Sequence, residues 1–155
     1  MYGAEFDVAD EVLDKDFVLP LNKGKVVREG KHVTITAYAR MVKVSLEAAA
    51  ELEKQGISCE VISLRSIRPL DRDLIVDSIK KTNHLITVED GWPQSGIGAE
   101  ICGQVFETEA FWHLDAPVER VTSADIPMPY SLPLEQATTP RAHNVVNAVL
   151  KSLNK

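Results

Sequence analysis

Short β-prone runs and stretches of helical spacing take turns along most of this chain, and that alternation restricts the fold more than any other feature. "ISCEVISL" at 57–64 is compact and apolar, as a buried strand is. "RPLDRDLIVDSIKKTN" follows, with Leu74, Ile75 and Ile79 at helical spacing, Pro69 as a breaker, Asp71 as N-cap, and Lys80 and Lys81 where cations complement the helix dipole. "HLITVED" predicts the next strand, 98–107 the next helix and "PVERVTSA" a further strand. Upstream, Val42, Leu46, Ala49 and Leu52 form one stripe of a helix over 41–55 that Gly56 stops. At the other end Thr139 as N-cap and Pro140 at the first helical position open a helix whose apolar face is Val145, Val146, Val149, Leu150 and Leu153. The alternation predicts a three-layer α/β fold: a mostly parallel β-sheet with helices on both faces. Two segments stand apart. "GKVVRE" and "KHVTITAYA" face each other across Gly30 and Lys31 and predict a hairpin or the lead-in to a strand. "DIPMPYSLPLEQATTP" is too rich in proline for either element.

A chain of 155 residues is long enough for one domain with a substantial core. Its net charge of -6 and lack of a basic stripe argue against a nucleic-acid partner. No apolar run approaches the roughly 20 residues of a membrane helix, so no membrane is expected. Cys59 and Cys102 lack the spacing of a metal or redox pair and read as buried thiols. In the opening segment Asp7, Asp10, Glu11, Asp14 and Asp16 nearly alternate with Val8, Val12, Leu13, Phe17 and Leu19. It has neither an apolar signal core nor the arginine-rich composition of a transit peptide, and reads as an interdomain connector over 1–23.

The strand, glycine loop and helix at 84–103 keep the order of a phosphate-cradling unit. Gly96 and Gly98 supply two glycines of a dinucleotide fingerprint, but Ile101 stands where the third belongs, and Glu89 and Asp90 would repel phosphate. The glycines are better read as letting the helix start close against the sheet, with a free-standing nucleotide-binding domain as the alternative. Ser95 lies outside a nucleophile elbow, flanked at the glycine positions by Pro93 and Ile97. His32, His84, His113 and His143 show no metal-ligand spacing. Glu51 with Glu53, and Glu107 with Glu109, lie two apart on predicted helices and point to different sides, so neither is an acid and base pair. What remains is apolar: Phe111 and Trp112 in "FWHLDAP" read first as core, and, with Met128 and Tyr130 in "DIPMPY" and with Trp92, otherwise as residue types that mark subunit interfaces.

In chain order, "DEVLDKDFVLPLNKGK", "ISCEVISLRSIRPLD", "KTNHLITVEDGWPQSGIGAEIC" and "LDAPVERVTSADIPMPY" resemble, over nearly the whole chain, the C-terminal part of pyruvate dehydrogenase beta subunits. Branched-chain 2-oxo acid dehydrogenase beta subunits are the weaker match, differing at the glycine loop and at "PMPY". The resemblance implies a transketolase C-terminal fold over 24–155, with the upstream cofactor-binding domain absent and Met1 the start of a fragment. It implies a whole enzyme that decarboxylates pyruvate and acetylates a lipoyl group with thiamine diphosphate and Mg. That family's catalytic glutamate and cofactor pocket belong to the preceding domain, so no catalytic, cofactor or metal residue is expected here and the fragment alone is expected to be inactive. The implied partners are the alpha subunit, a second beta subunit and the subunit-binding domain of the dihydrolipoyl acetyltransferase, in the mitochondrial matrix. Asp115 is the position implied for a salt bridge to a basic residue of the acetyltransferase. Lys155 ends the chain where relatives end in apolar residues and approach the same partner; a cation there would weaken that contact. Cut off from its parent, the domain is expected to self-associate through "FWHL" and "PMPY".

Overall fold

The computed structural model describes residue 16 and residues 18–155. Most of the acidic opening segment, with Asp7, Val8, Asp10, Glu11, Val12, Leu13, Asp14 and Phe17, lies outside the described residues. Five strands form one sheet: β1 (Lys25–Arg28), β2 (Val33–Ala37), β3 (Cys59–Ser63), β4 (Leu85–Val88) and β5 (Glu119–Val121), in the order β1-β3-β2-β4-β5. β2 pairs in parallel with both β3 and β4, and β4 with β5, while β1 runs antiparallel to β3. All of β2 and β4 is buried, because a central parallel strand is covered on both faces and reads as a continuous β-prone run rather than an alternation.

Helices α1 (Arg40–Glu53) and α5 (Ala142–Ser152) cover one face. There Val33, Ile35, Val61, Ile86 and Val88 meet Ala48, Leu52, Val145 and Val149. Helices α2 (Arg72–Thr82) and α3 (Ile97–Phe106) cover the other, where Ile62 and Leu85 meet Ile75, Ile79, Ile101 and Val105. The expected three layers are present. Asp71 caps α2 by accepting the Leu74 N–H at 3.5 Å, as the sequence predicts, and Gly56 closes the turn after α1 at a left-handed φ of 77°.

Three expectations are corrected. The two runs around Gly30 make no hairpin: β1 pairs with β3, and β2 lies on the far side of β3. The connection is pressed onto the start of β3, where Lys31 and His32 N–H groups donate to the Ser58 carbonyl at 3.2 and 2.9 Å and a side chain on Gly30 would strike Cys59 and Glu60 backbone. A tight turn is thereby replaced by a crossing. The proline-rich stretch contains helix α4 (Leu132–Thr138), whose Pro133 sits in the first turn, where no backbone donor is needed. Finally, α5 starts at Ala142: Arg141 N–H donates to the Asn144 side chain at 2.9 Å, and Thr139 instead donates to the Glu135 carbonyl at 3.1 Å and finishes α4.

Candidate functional site

Among the parallel strands the direction of winding changes between β2 and β4, and an open sheet of this kind binds ligands in the crevice at the carboxyl ends of the strands on either side of that change. Tyr38 and Arg40 follow β2 there; Glu89 and Asp90 follow β4, and α3 begins against them. Glu89 is only 2% exposed, and its two carboxylate oxygens accept the Ile97 and Gly98 N–H groups at 3.0 Å each. A Cβ on Gly96 would lie 2.6 Å from either oxygen, and one on Gly98 2.8 Å from Oε1 and 2.5 Å from Thr87 Oγ1. The glycines therefore make room for the protein's own carboxylate, seated where a pyrophosphate would sit. The nucleotide alternative is overturned by this geometry: the helix N-terminus already holds an anion. Beside it, burial first and then Glu89 and Asp90 raise the Tyr38 phenol above its ordinary pKa, so it stays neutral, and Arg40 lies 3.9 Å from Asp90. Cys59 is buried, its thiol pushed up to about 11 by burial; Cys102 is partly exposed, a correction to its reading as buried.

Sequence reasoning missed a second constellation inside the sheet. Glu60 is 1% exposed near the start of β3, accepting the Ser78 hydroxyl at 2.6 Å and the Gly30 N–H at 3.3 Å and pairing with the Lys81 ammonium. Thr34 Oγ1 lies 2.6 Å from Ser78 Oγ and 2.7 Å from Thr82 Oγ1, which carries the network onto β2. Burial pushes the carboxyl up, but Lys81, Ser78, Glu29 and Gly30 outweigh it and hold Glu60 below the ordinary carboxylate range. A lone acid in an otherwise apolar strand, followed by Ser78, Lys81 and Thr82 on one helix, was the available signal. With both oxygens engaged, the group secures β3 to α2 and to the Gly30 crossing.

The partner-facing residues lie on the surface. Asp115 follows a short 3-10 turn (Glu109–His113); its N–H donates to the Asn83 carbonyl at 3.0 Å and its carboxylate accepts the Asn83 amide at 3.2 Å. Asp115 and Lys155 line one open hollow of about 300 Å³, with His32 and His84. On its other side Asp115 borders an apolar hollow of about 590 Å³ formed by Phe106, Phe111, Leu114, Pro117 and Val118. The Phe111 ring centroid is 4.9 Å from that of Phe106 and 5.0 Å from that of Trp112, which is 83% exposed. Elsewhere Trp92 Nε1 donates to the Ile126 carbonyl at 3.0 Å and ties the glycine loop to "DIPMPY". Met128 and Tyr130 are exposed there, together with Leu132 and Leu134 of α4, where the proline content predicts a loop. The exposure of Phe111 and Trp112 overturns their reading as core, and the five apolar residues expected at an interface lie on two segments, Phe111 with Trp112 after α3, and Met128 and Tyr130 in the stretch to which Trp92 is bonded. Among the described residues no three His, Cys, Asp or Glu side chains gather as metal ligands, and no helix is long and apolar enough to cross a membrane.

Residues 22–145 match the protein family described as transketolase, C-terminal domain. The chain belongs to that family. It is 54% identical over 153 residues to the mitochondrial pyruvate dehydrogenase E1 component subunit beta of Drosophila melanogaster, an alignment covering 99% of this chain and 42% of the relative. The corresponding proteins of Caenorhabditis elegans and Homo sapiens are 56% and 50% identical over 154 residues, again 99% of this chain but 44% and 43% of theirs. The chain thus spans about two fifths of the length of these relatives. Among solved structures, a split-gene transketolase described as an inactive beta4 tetramer superposes with a TM-score of 0.77 at 32% identity over 90% of this chain and 44% of that one. A 2-oxoglutarate:ferredoxin oxidoreductase from Magnetococcus marinus superposes with a TM-score of 0.59 at 14% identity over 93% of this chain and 21% of that one, a likeness of fold. A transketolase C-terminal domain is also what the mostly parallel three-layer sheet describes.

Proposed function

We propose that this chain is the C-terminal part of the beta subunit of a mitochondrial pyruvate dehydrogenase (acetyl-transferring), serving subunit assembly and docking to the acetyltransferase core. The observation that carries this is identity of 50–56% over 99% of the chain to three proteins named as that subunit, all designated mitochondrial. All three are pyruvate dehydrogenases by name, which favours that reading over the branched-chain one. In the whole enzyme pyruvate is oxidatively decarboxylated and the acetyl group passes to a lipoyl arm, with thiamine diphosphate and Mg in the domain upstream. The residues here do not fit that cofactor: the helix N-terminus that would hold a diphosphate is filled by Glu89, whose charge would repel it. Residues 1–23 are the connector and 24–155 the domain.

The alpha subunit and a second beta subunit are partners for the two aromatic segments. Asp115 receives a basic residue of the acetyltransferase subunit-binding domain, and Lys155 lies in the same hollow, where its charge opposes that contact. An exposed ion pair contributes roughly 0–1 kcal/mol, so Asp115 matters because Phe111, Leu114 and Pro117 beside it can exclude water once the partner is seated. Native mass spectrometry of the chain with that subunit-binding domain tests this. A complex is expected, and Asp115→Ala should reduce it. A folded chain that forms no complex, or a variant that binds as well as the parent, would remove the docking role.

A further inference from the structure

The hollow that holds Asp115 is lined by three ammonium groups, those of Lys31, Lys81 and Lys155, against that one carboxylate. A basic residue entering it meets repulsion from every ammonium that no acid neutralises. Of the three, only Lys81 has acidic partners among the described residues: Glu60, and Glu29 at 3.3 Å. The two acids are unequal. Glu29 is exposed, so solvent screens its attraction. Glu60 is buried and its oxygens are fixed by the Ser78 hydroxyl and the Gly30 N–H, so it draws the ammonium to one place. Lys81 cannot leave without stranding a buried carboxylate, which is strongly unfavourable. The hydrogen bond to Glu60 first, and that to Glu29 after it, raise the Lys81 ammonium above its ordinary pKa against the effect of burial, so it stays charged.

We propose that Glu60 is a positioning residue for the docking hollow: it keeps the Lys81 ammonium neutralised and off Asp115, which leaves that carboxylate free for a basic residue of the partner. This rests on the docking role proposed for Asp115. Lys81 is the cation placed to compete for it, because it stands two residues before Asn83, whose carbonyl and amide hold Asp115 at 3.0 and 3.2 Å. Released from Glu60, Lys81 would pair with Asp115 inside the chain and fill the place of the partner's basic residue. The Asn83 amide carries no charge, so it orients Asp115 without competing. A buried acid in β3 thus sets the charge that the surface presents.

The test pairs side-chain NMR of the free chain with calorimetric titration against a dihydrolipoyl acetyltransferase subunit-binding domain. Glu60→Gln removes the charge and keeps an acceptor for the Ser78 hydroxyl. In that variant the Lys81 methylenes should show proton contacts with Asp115 that the parent lacks. Its affinity should fall about threefold at low salt, and the difference should shrink as salt is added. Glu60→Gln with Lys81→Met removes the released cation and should restore the parent affinity, whereas damage to the fold would not be repaired by a second loss in the same network. If Glu60→Gln does not fold, Glu29→Gln on the surface decides the matter, with an affinity about twofold lower. Parent affinity in a folded Glu60→Gln or in Glu29→Gln, no contact between Lys81 and Asp115 in the folded Glu60→Gln variant, or a loss that Lys81→Met leaves in place would each overturn the assignment. A parent chain that binds no such domain would remove the docking reading itself, and this role with it.

Discussion

Glu60 shows how one residue can be legible in type and not in role. An acid inside "ISCEVISL" contradicts a buried strand unless something satisfies it, and the satisfying groups, Ser78, Lys81 and the Gly30 N–H, come from elements whose packing no local pattern announces. Lys81 is 43% exposed, so solvent screens much of its attraction and the buried hydrogen bonds carry most of the effect. Because the folded carboxyl sits below its unfolded value of about 4.3, its contribution is fully present above that pH and is lost as pH falls through the folded pKa. Glu60→Gln should therefore cost about 1–3 kcal/mol at neutral pH, and the gap should narrow in acid as the parent takes up its proton. Urea midpoints across the acid range measure this; a gap that stays constant with pH would mean that the charge of Glu60 is not what the network uses.

At the scale of elements, helical spacing found the one-sided helices and continuous β-prone runs found the central strands, whereas what neighbours decide was missed. The crossing at Gly30 depends on β3, and α4 has no buried residue, so no apolar stripe marks it. Helix α3 shows the same limit within one element, because its two glycines look alike in sequence. Gly103 meets nothing within 4 Å, so Gly103→Ala should stabilise by about 0.5–1 kcal/mol, the ordinary propensity gain. Gly98→Ala places a methyl 2.5 Å from Thr87 Oγ1, on a stiff β-branched side chain, and 2.8 Å from Oε1 of the Glu89 carboxylate, which two N–H groups hold, one on each oxygen. It should destabilise by about 1–3 kcal/mol, as overpacking does. Thermal melts of the two variants should move in opposite directions; if both rise, the Glu89 seat is softer than its distances indicate.

On the whole molecule, the alternation of elements was enough to predict the layers, whereas a surface has no period and its two apolar segments could be read only as residue types. Trp112 at 83% exposed, and Trp92, Met128, Tyr130, Leu132 and Leu134, each at least half exposed, leave many large apolar side chains in water. The chain should therefore form dimers or larger species at tens of micromolar, the behaviour we propose for a part of a larger assembly. Its net charge of -6 gives the association a sign that separates two origins. Apolar contact between acidic copies works against their repulsion, so added salt, which screens that repulsion, should strengthen it. Contact through ion pairs would weaken instead. Sedimentation at low and high salt should show the larger species gaining with salt, and Trp112→Asp with Tyr130→Asp should return a monomer at both. A monomer at every salt concentration would mean that these aromatics cover their own surface in solution, and the two segments would lose their claim as subunit interfaces.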